Sequence, residues 1–440
     1  MKNILKIFIS LLLFNLSIIK LYSQPGTLDL SFGNHGIVIH DSATVASACV
    51  ITKDGKIMVA GRNVSQELIL WRFLPDGSLD ESFGELGKIS SSIGSKIYSI
   101  YDMILQPDDK ILILGENHPA ISHFDAGIIR FMQDGILDSS FGANGFDSIH
   151  INNYNYPGQI VLQEDGKIVI DGVTSNAQGQ GNLKASFLAR IMPNGGLDPT
   201  FGEEGIVTKN YSEAIEIHAL VIRQGGKLVT GGSFDVFGKT SYMLSSFNQD
   251  GSVDATFGEN GTAKFLFGQG QGGLWNNDFR AMALQADGKI VCTGITGKGE
   301  VISMGLCRFN EDGTVDEGFG ESGGVITTYI GEPETRNIAI QPDGKILTVA
   351  DVQEFIDEPW KALLARYTTS GILDPTFAEN GIAGIYVDTI GGQNGRFVNM
   401  VADNKILITG TCGPDLPQIF FARFNGDNVL ASNFKEVKAI

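Results

Sequence analysis

The sequence predicts an all-β protein, a seven-bladed β-propeller of four-stranded blades whose ring is closed by the N-terminal strand. Three observations predict it. A triple of motifs returns seven times in one order, glycine turns separate short apolar runs, and the chain starts and stops part-way through a unit. The composition agrees with many short strands: 56 glycines, only 13 prolines and 42% hydrophobic residues in 440.

The first motif reads LDLSFGNHG from Leu28, LDESFGELG from Leu79 and LDSSFGANG from Leu137. It continues as LDPTFGEEG from Leu197, VDATFGENG from Val253, VDEGFGESG from Val315 and LDPTFAENG from Leu373. The second is a DGK turn with an apolar run, at Asp54, Asp108, Asp165, Gly225, Asp287, Asp343 and Asp403. The third is the pair Arg72–Phe73, recurring as Arg130–Phe131, Arg190–Ile191, Ser246–Phe247, Arg308–Phe309, Arg366–Tyr367 and Arg423–Phe424. In the first period these punctuate four strands, over 45–51, 56–60, 68–74 and from 88, with AspGly turns between apolar strands acting as hairpin signals. A β-helix would use much shorter coils. The chain opens on the motif before a fourth strand (36–40) and ends on strands one to three of the last unit, so the N-terminal strand is expected to complete that unit.

Spacing divides the units into two faces. From the Arg position to the motif aspartate the count is always eight, as in Arg72 to Asp80 or Arg308 to Asp316. From the DGK lysine to the Arg position it varies, 16 for Lys56 to Arg72 and 23 for Lys167 to Arg190. From the last motif glycine to the next lysine it also varies, 20 for Gly36 to Lys56 and 28 for Gly261 to Lys289. Because strands alternate direction, the variable links share one face and the fixed turns the other. Binding residues concentrate in loops that tolerate change, so the variable face is the expected functional face.

Residues 1–23 read as a signal peptide: Lys2 and Lys6, an apolar run over 7–14, then a polar cleavage region near Ser23–Gln24. No cysteine lies there to carry a lipid. The domain expected to remain is 24–440, exported or held in the cell envelope, with no integral membrane segment. Removing the leader's three lysines and no acid takes the net charge from −18 to −21, which argues against nucleic acid as a partner. Export permits disulfides among Cys49, Cys292, Cys307 and Cys412, but their connectivity is not fixed by sequence.

Together the LDxxFGxxG, DGKIxVxG and ARFxxDG pattern resembles the bacterial delta-60 repeat, a β-propeller family without a defined activity. The resemblance spans about Leu28 to Phe424. It departs at Ala378 (motif glycine), Ser246 (arginine), and Gly225 and Asn404 (DG turn). It implies the propeller fold and supplies no catalytic residues.

Individual residues sort as follows. The aspartates Asp29, Asp80, Asp138, Asp198, Asp254, Asp316 and Asp374 are expected to cap their own turns rather than bind calcium, because each copy offers too few oxygens. Asp254 persists where Ser246 replaces the arginine, so an Arg–Asp pair is not obligatory. The motif phenylalanines, Phe32 through Phe377, are expected to pack between blades. His118 and His123, with Glu116 and Asp125, are a candidate metal set, but their spacing matches no zinc motif. Trp275 with Asp278, Trp360 with Phe355, and Tyr154 with Tyr156 are read as loop aromatics suited to a glycan or peptide. No cofactor motif, serine nucleophile elbow, HExxH or paired-carboxylate signature is present. The reading is a binding or scaffold propeller for a glycan, peptide or envelope protein. The alternative is a hydrolase or lyase acting on polysaccharide, which would show close carboxylates or a histidine at the channel mouth.

Overall fold

The computed structural model describes residues 24–91, 96–120, 123–176, 185–236, 239–268, 275–298, 301–355, 358–387, 394–413 and 416–427. The leader, 1–23, lies outside them. No helix among the described residues is long and apolar enough to cross a membrane.

The chain folds into antiparallel four-stranded units, each a meander. The first strands are Thr44–Ile51, Ser99–Leu105, Tyr154–Leu162, Ile215–Ile222, Trp275–Leu284, Glu334–Ile340 and Asn394–Val401. Five units are separate sheets, and units two and three join into one sheet through a single parallel bridge, Tyr154 to Phe124. The fourth strand beside Gln418–Phe424 comes from the other end of the chain: Ile37–His40 pairs antiparallel with it, Ile37 opposite Ala422 and His40 opposite Ile419. The molecule is an all-β, propeller-like stack of four-stranded sheets.

Burial follows strand position. Second strands are buried on both faces, and Ile168–Ser175 is buried throughout. This is why they read as unbroken apolar runs. First strands alternate; in Thr44–Ile51 buried Thr44, Ala46 and Ala48 take turns with half-buried neighbours. Fourth strands are only four or five residues long, and several carry exposed polar residues, as in Lys88–Ser91, which blunts a sheet edge. The core lies between successive units: Ala48, Met58 and Leu70 of unit one meet Met103, Ile111 and Ile113 of unit two. Ala46 and Val59 likewise meet Leu407, Ile419 and Phe421 of the last unit.

The three motifs converge on each aspartate. Its Oδ1 accepts a hydrogen bond from the backbone N–H two residues on, at 3.0–3.3 Å in all seven copies. Its Oδ2 takes the arginine at 2.7–2.9 Å in six copies. The DGK lysine reaches the same oxygen at 2.8–3.5 Å in all seven. The aspartate therefore does more than cap its turn. Where Ser246 replaces the arginine, its hydroxyl and Lys227 hold Asp254. Each arginine also lies 4.3–4.5 Å over the motif phenylalanine. In the unit lacking it, Arg223 takes that place over Phe257 at 5.4 Å. The seven phenylalanines are fully buried.

The same cluster fastens neighbouring units. Arg190 donates to the Gln249 carbonyl at 2.6 Å and Arg423 to the Pro75 carbonyl at 2.9 Å. Gly202 N–H donates to the Asp250 carbonyl at 2.9 Å. A Cβ on Gly77 would come within 2.8 Å of Phe32 of the preceding corner, so this turn, at φ +86°, admits no side chain.

Burial raises the Asp138 carboxyl, but hydrogen bonds from Ser140 and the charges of Arg130 and Lys110 outweigh it and hold it at about 2. Asp80 and Asp254 are held at about 2 in the same way. A carboxyl depressed below its unfolded value of about 3.9 adds stability above that value and loses it as pH falls through the folded pKa. The melting temperature should therefore drop steeply between about pH 4 and pH 2. Asp138→Asn should cost roughly 2–4 kcal/mol in urea unfolding by leaving Arg130 buried without its partner, and should flatten that acid slope.

Candidate functional site

The seven first strands wall a single cavity of about 570 Å³. Each carries a register shift against its second strand, between Ala46 and Ala48, Ile100 and Asp102, Pro157 and Ile160, Ile217 and Ala219, Phe279 and Ala281, Thr335 and Asn337, and Gly395 and Phe397. A bulge leaves one residue unpaired and re-aims its side chain. The bulge explains the last glycine of DGKIxVxG. A Cβ on Gly61, Gly115, Gly172, Gly232, Gly294 or Gly410 would sit 1.8–2.3 Å from a carbonyl oxygen of the first strand. Unit six alone has an alanine there, Ala350.

The bulged position lies nine residues before each DGK lysine, as in Arg280 to Lys289 and Arg396 to Lys405. In chain order it holds Ser47, Tyr101, Gly158, His218, Arg280, Arg336 and Arg396. All but Ser47 line the cavity. The cations are thus gathered on units four to seven, while the wall of units two and three offers Tyr101, Asp102 and Gln159.

Carboxylates answer most of these cations. Arg280 Nη2 pairs with Asp278 Oδ2 at 2.5 Å, and Arg336 Nε with Asp351 Oδ2 at 3.0 Å, while its Nη2 holds Glu334. His218 Nε2 lies 3.2 Å from Glu216 Oε2. Arg396 is different. It has no ion-pair or hydrogen-bond partner among the described residues, and burial together with the charge of Arg336 pushes its pKa down.

Two further acids meet on the opposite wall. The consecutive N–H groups of Gln159 and Ile160 donate to Asp171 Oδ1 at 2.7 Å and to Asp102 Oδ2 at 3.2 Å. Gly158 makes this possible, since a Cβ there would lie 2.6 Å from Asp171 Oδ1. Asp171 is fully buried, and its Oδ2 has no hydrogen-bond partner. Burial, with a smaller contribution from the charge of Asp102, pushes Asp171 up to about 7 against its backbone hydrogen bond. Burial likewise lifts Asp102 and Asp351 to about 6.

Glu216, His218 and Asp278 bring one ligand atom each within 4.8 Å of one another and form the one such trio among the described residues. They could hold a divalent ion, although Arg280 already occupies Asp278 Oδ2. His118 and His123 do not converge with Glu116 and Asp125 on a metal site. The segment that carries them is a strand hairpin, Ile111–Ala120 against His123–Phe131. There His118 stacks between Tyr98 and Phe124, at 4.3 and 4.1 Å, and bonds Glu116, which also accepts from Tyr101. Asp125 pairs instead with His150 at 2.7 Å.

The expected loop aromatics are also redistributed. Tyr154, Tyr156 and Trp275 belong to first strands, because the second strands extend to pair with them, Tyr154 opposite Ser175 and Trp275 opposite Lys298. Tyr154 is buried edge-on against Phe124 at 5.2 Å. Phe355 is exposed and Trp360 half-buried, both between the second and third strands of unit six. Tyr154, Tyr156, Phe355 and Trp360 do not line the cavity. Asp278 does join its charge network through Arg280. The cysteines are unbridged, and Cys292 lies directly across the strand pair from Cys307.

Six segments, 52–83, 106–141, 163–201, 226–257, 285–319 and 341–377, match the family described as "Domain of unknown function (DUF5122) beta-propeller". These are β-propeller repeats. The seventh copy falls outside the match, and its parts lie at opposite chain ends, Leu28–Gly36 and Asp403–Phe424. No curated protein matches the chain. Among solved structures the propeller is similar to polysaccharide lyase Uly1, at 11% identity and TM-score 0.48, covering 93% of this chain and 94% of that one. A protein of unknown function from Dyadobacter fermentans gives 12% and 0.46, with 92% and 99% covered. A Penicillium chrysogenum α-L-arabinanase gives 11% and 0.43, with 71% and 92% covered.

The raised acids set a second pH dependence for the propeller, opposite in sign to the first. A carboxyl whose folded pKa exceeds its unfolded one contributes stability that is complete below about pH 4 and lost as pH rises through the folded value. Asp171→Asn keeps the oxygen that accepts from Gln159 and removes the charge. It should match the parent at pH 4 and exceed it by on the order of 1–3 kcal/mol at pH 8, read by denaturant unfolding.

Proposed function

We propose that this is an exported seven-bladed propeller of the delta-60 type that takes an extracellular glycan into the cavity from the variable-loop face. The leader, 1–23, directs export, and 24–440 forms the blades. Pairing of Ile37–His40 with Gln418–Phe424 supports closure of the ring by the N-terminal strand. One observation carries the reading. Bulges at one position of the first strands direct five polar side chains, Tyr101, His218, Arg280, Arg336 and Arg396, at one cavity, whereas the fixed-turn face is occupied by repeated structural contacts. In three units the bulge is the third residue of its strand, on the side that leads in from a variable link: Tyr101 in Ser99–Leu105, Arg336 in Glu334–Ile340 and Arg396 in Asn394–Val401. Asparagines 337 and 399, Gln159 and Tyr101 in the wall suit sugar hydroxyls.

A second reading, cleavage of a polysaccharide, is favoured by Asp102, which lines the cavity with Asp171 buried behind it. A cavity carboxyl lifted to about 6 is the kind of group a general acid or base would need. The two readings separate in one experiment. Residues 24–440 are screened against a glycan array, and each bound glycan is then incubated with the protein and sized by chromatography. Recovery of intact glycan supports a binding module. Shortened products support the enzyme, and Asp102→Asn should then lower turnover at least a hundredfold with binding kept. Absence of any glycan binding overturns both.

A further inference from the structure

Units five, six and seven place arginine at the same bulge, and the three side chains are not equivalent. Arg280 and Arg336 are answered by Asp278, Asp351 and Glu334. Asp351 is also committed to the Gly395 N–H, so it is bonded from both sides. Arg396 stands next to Arg336 in the wall, partly desolvated and without an ion pair or hydrogen bond among the described residues; the charge of Asp351, which Arg336 already holds, offsets this only in part. A cavity arginine held this way weakens the free protein, because two like charges face each other in a medium that screens poorly. Such a conflict is expected where a ligand supplies the missing charge.

We propose that Arg396, assisted by Arg336, binds the carboxylate of a uronic acid residue in an anionic oligosaccharide. The inference rests on the glycan reading above and names its substrate class. The planar guanidinium matches a carboxylate with two parallel N–H···O bonds. A carboxylate bound there lies on the cationic wall, with its ring toward Asn337, Asn399, Gln159 and Tyr101, whose amide and phenol groups pair with hydroxyls. The surface that the wall exposes to the cavity is mainly polar, which favours a sugar over the apolar side chains of an acidic peptide. On the opposite wall Asp102 is the acid that lines the cavity; burial lifts its carboxyl to about 6, so it repels an anion less as pH falls toward that value, and Asp171 stays fully buried behind it.

The test is calorimetric titration of residues 24–440 with oligogalacturonate and oligoglucuronate, each beside its carboxyl-reduced neutral counterpart and beside oligoglutamate. At least one uronate should bind ten times or more tightly than its neutral form, and added salt should weaken it. Arg396→Ala should abolish that preference, lowering the affinity for the uronate at least tenfold and that for the neutral form far less. Its melting temperature should equal or exceed the parent's, which shows that the variant is folded. Arg396→Lys should recover only part of the preference, because an ammonium lacks the planar pair of donors. Equal affinity for acidic and neutral sugars, unaffected by Arg396→Ala, overturns the carboxylate assignment and leaves the glycan reading standing. Binding of oligoglutamate alone, or of none of the probes, overturns it as well.

Discussion

The interaction on which the molecule depends is the aspartate held at once by its own turn, by the arginine eight residues before it and by the lysine of the DGK turn. Three elements that are distant along each unit meet on one carboxyl. The arginine then covers the motif phenylalanine and reaches a carbonyl of the next unit. One cluster therefore fixes the third-to-fourth corner, the second strand and the neighbouring sheet. Its groups are largely buried, so each charge is costly to leave alone, which makes the cluster cooperative. The unit with Ser246 shows the constraint by its exception. The guanidinium is replaced over Phe257 by Arg223, from a different position, and the Ser246 hydroxyl and Lys227 hold Asp254.

Fixing the sheets at that face leaves the other free. The first strands need only alternate their burial and accept a bulge opposite a glycine. Nothing in the latch constrains the identity of the bulged residue, and it runs through serine, tyrosine, glycine, histidine and arginine. Regular packing and irregular chemistry are thereby assigned to different ends of the same strands. The central glycine of each second strand connects the two, since it admits the carbonyl that the bulge displaces.

The fold was legible because its signals are local and repeated: the AspGly turns, the SerPheGly corners and their constant spacing each state a backbone requirement. Strand order followed, and so did the pairing of the two chain ends. The cavity was not legible in the same way. Its side chains are single residues at one position of a variable stretch, and no motif marks them. Counting nine back from each DGK lysine would have aligned them, but only knowledge of the bulge says that this position turns inward. The loop assignments of Tyr154, Tyr156 and His118 erred for a related reason. Polar, asparagine-bearing segments read as loops until an extended second strand supplies partners for their backbone. Asp171 was hidden by its place in a buried run, where only the neighbouring Gly158 makes room for a carboxyl.

The distribution of charge around the cavity follows from this arrangement. Equivalent positions on a repeated frame deliver side chains to one level, so an unequal choice among them creates a direction across the cavity. Arginine on three consecutive units and Tyr101, Asp102 and Gln159 on units two and three make one wall cationic and the other a set of phenol, carboxyl and amide groups. Had the charges alternated around the wall, each arginine would find a carboxylate on both sides and the cavity would close upon itself. Instead the pairing runs out at Arg396, on the last unit, where the Asp351 beside it is already bonded by Arg336 and by the Gly395 backbone. A ligand with a negative end and a hydroxylated body is the object that completes both walls in one orientation, and a repeat protein gains that polarity by changing one residue per unit without disturbing the latch that holds the units together.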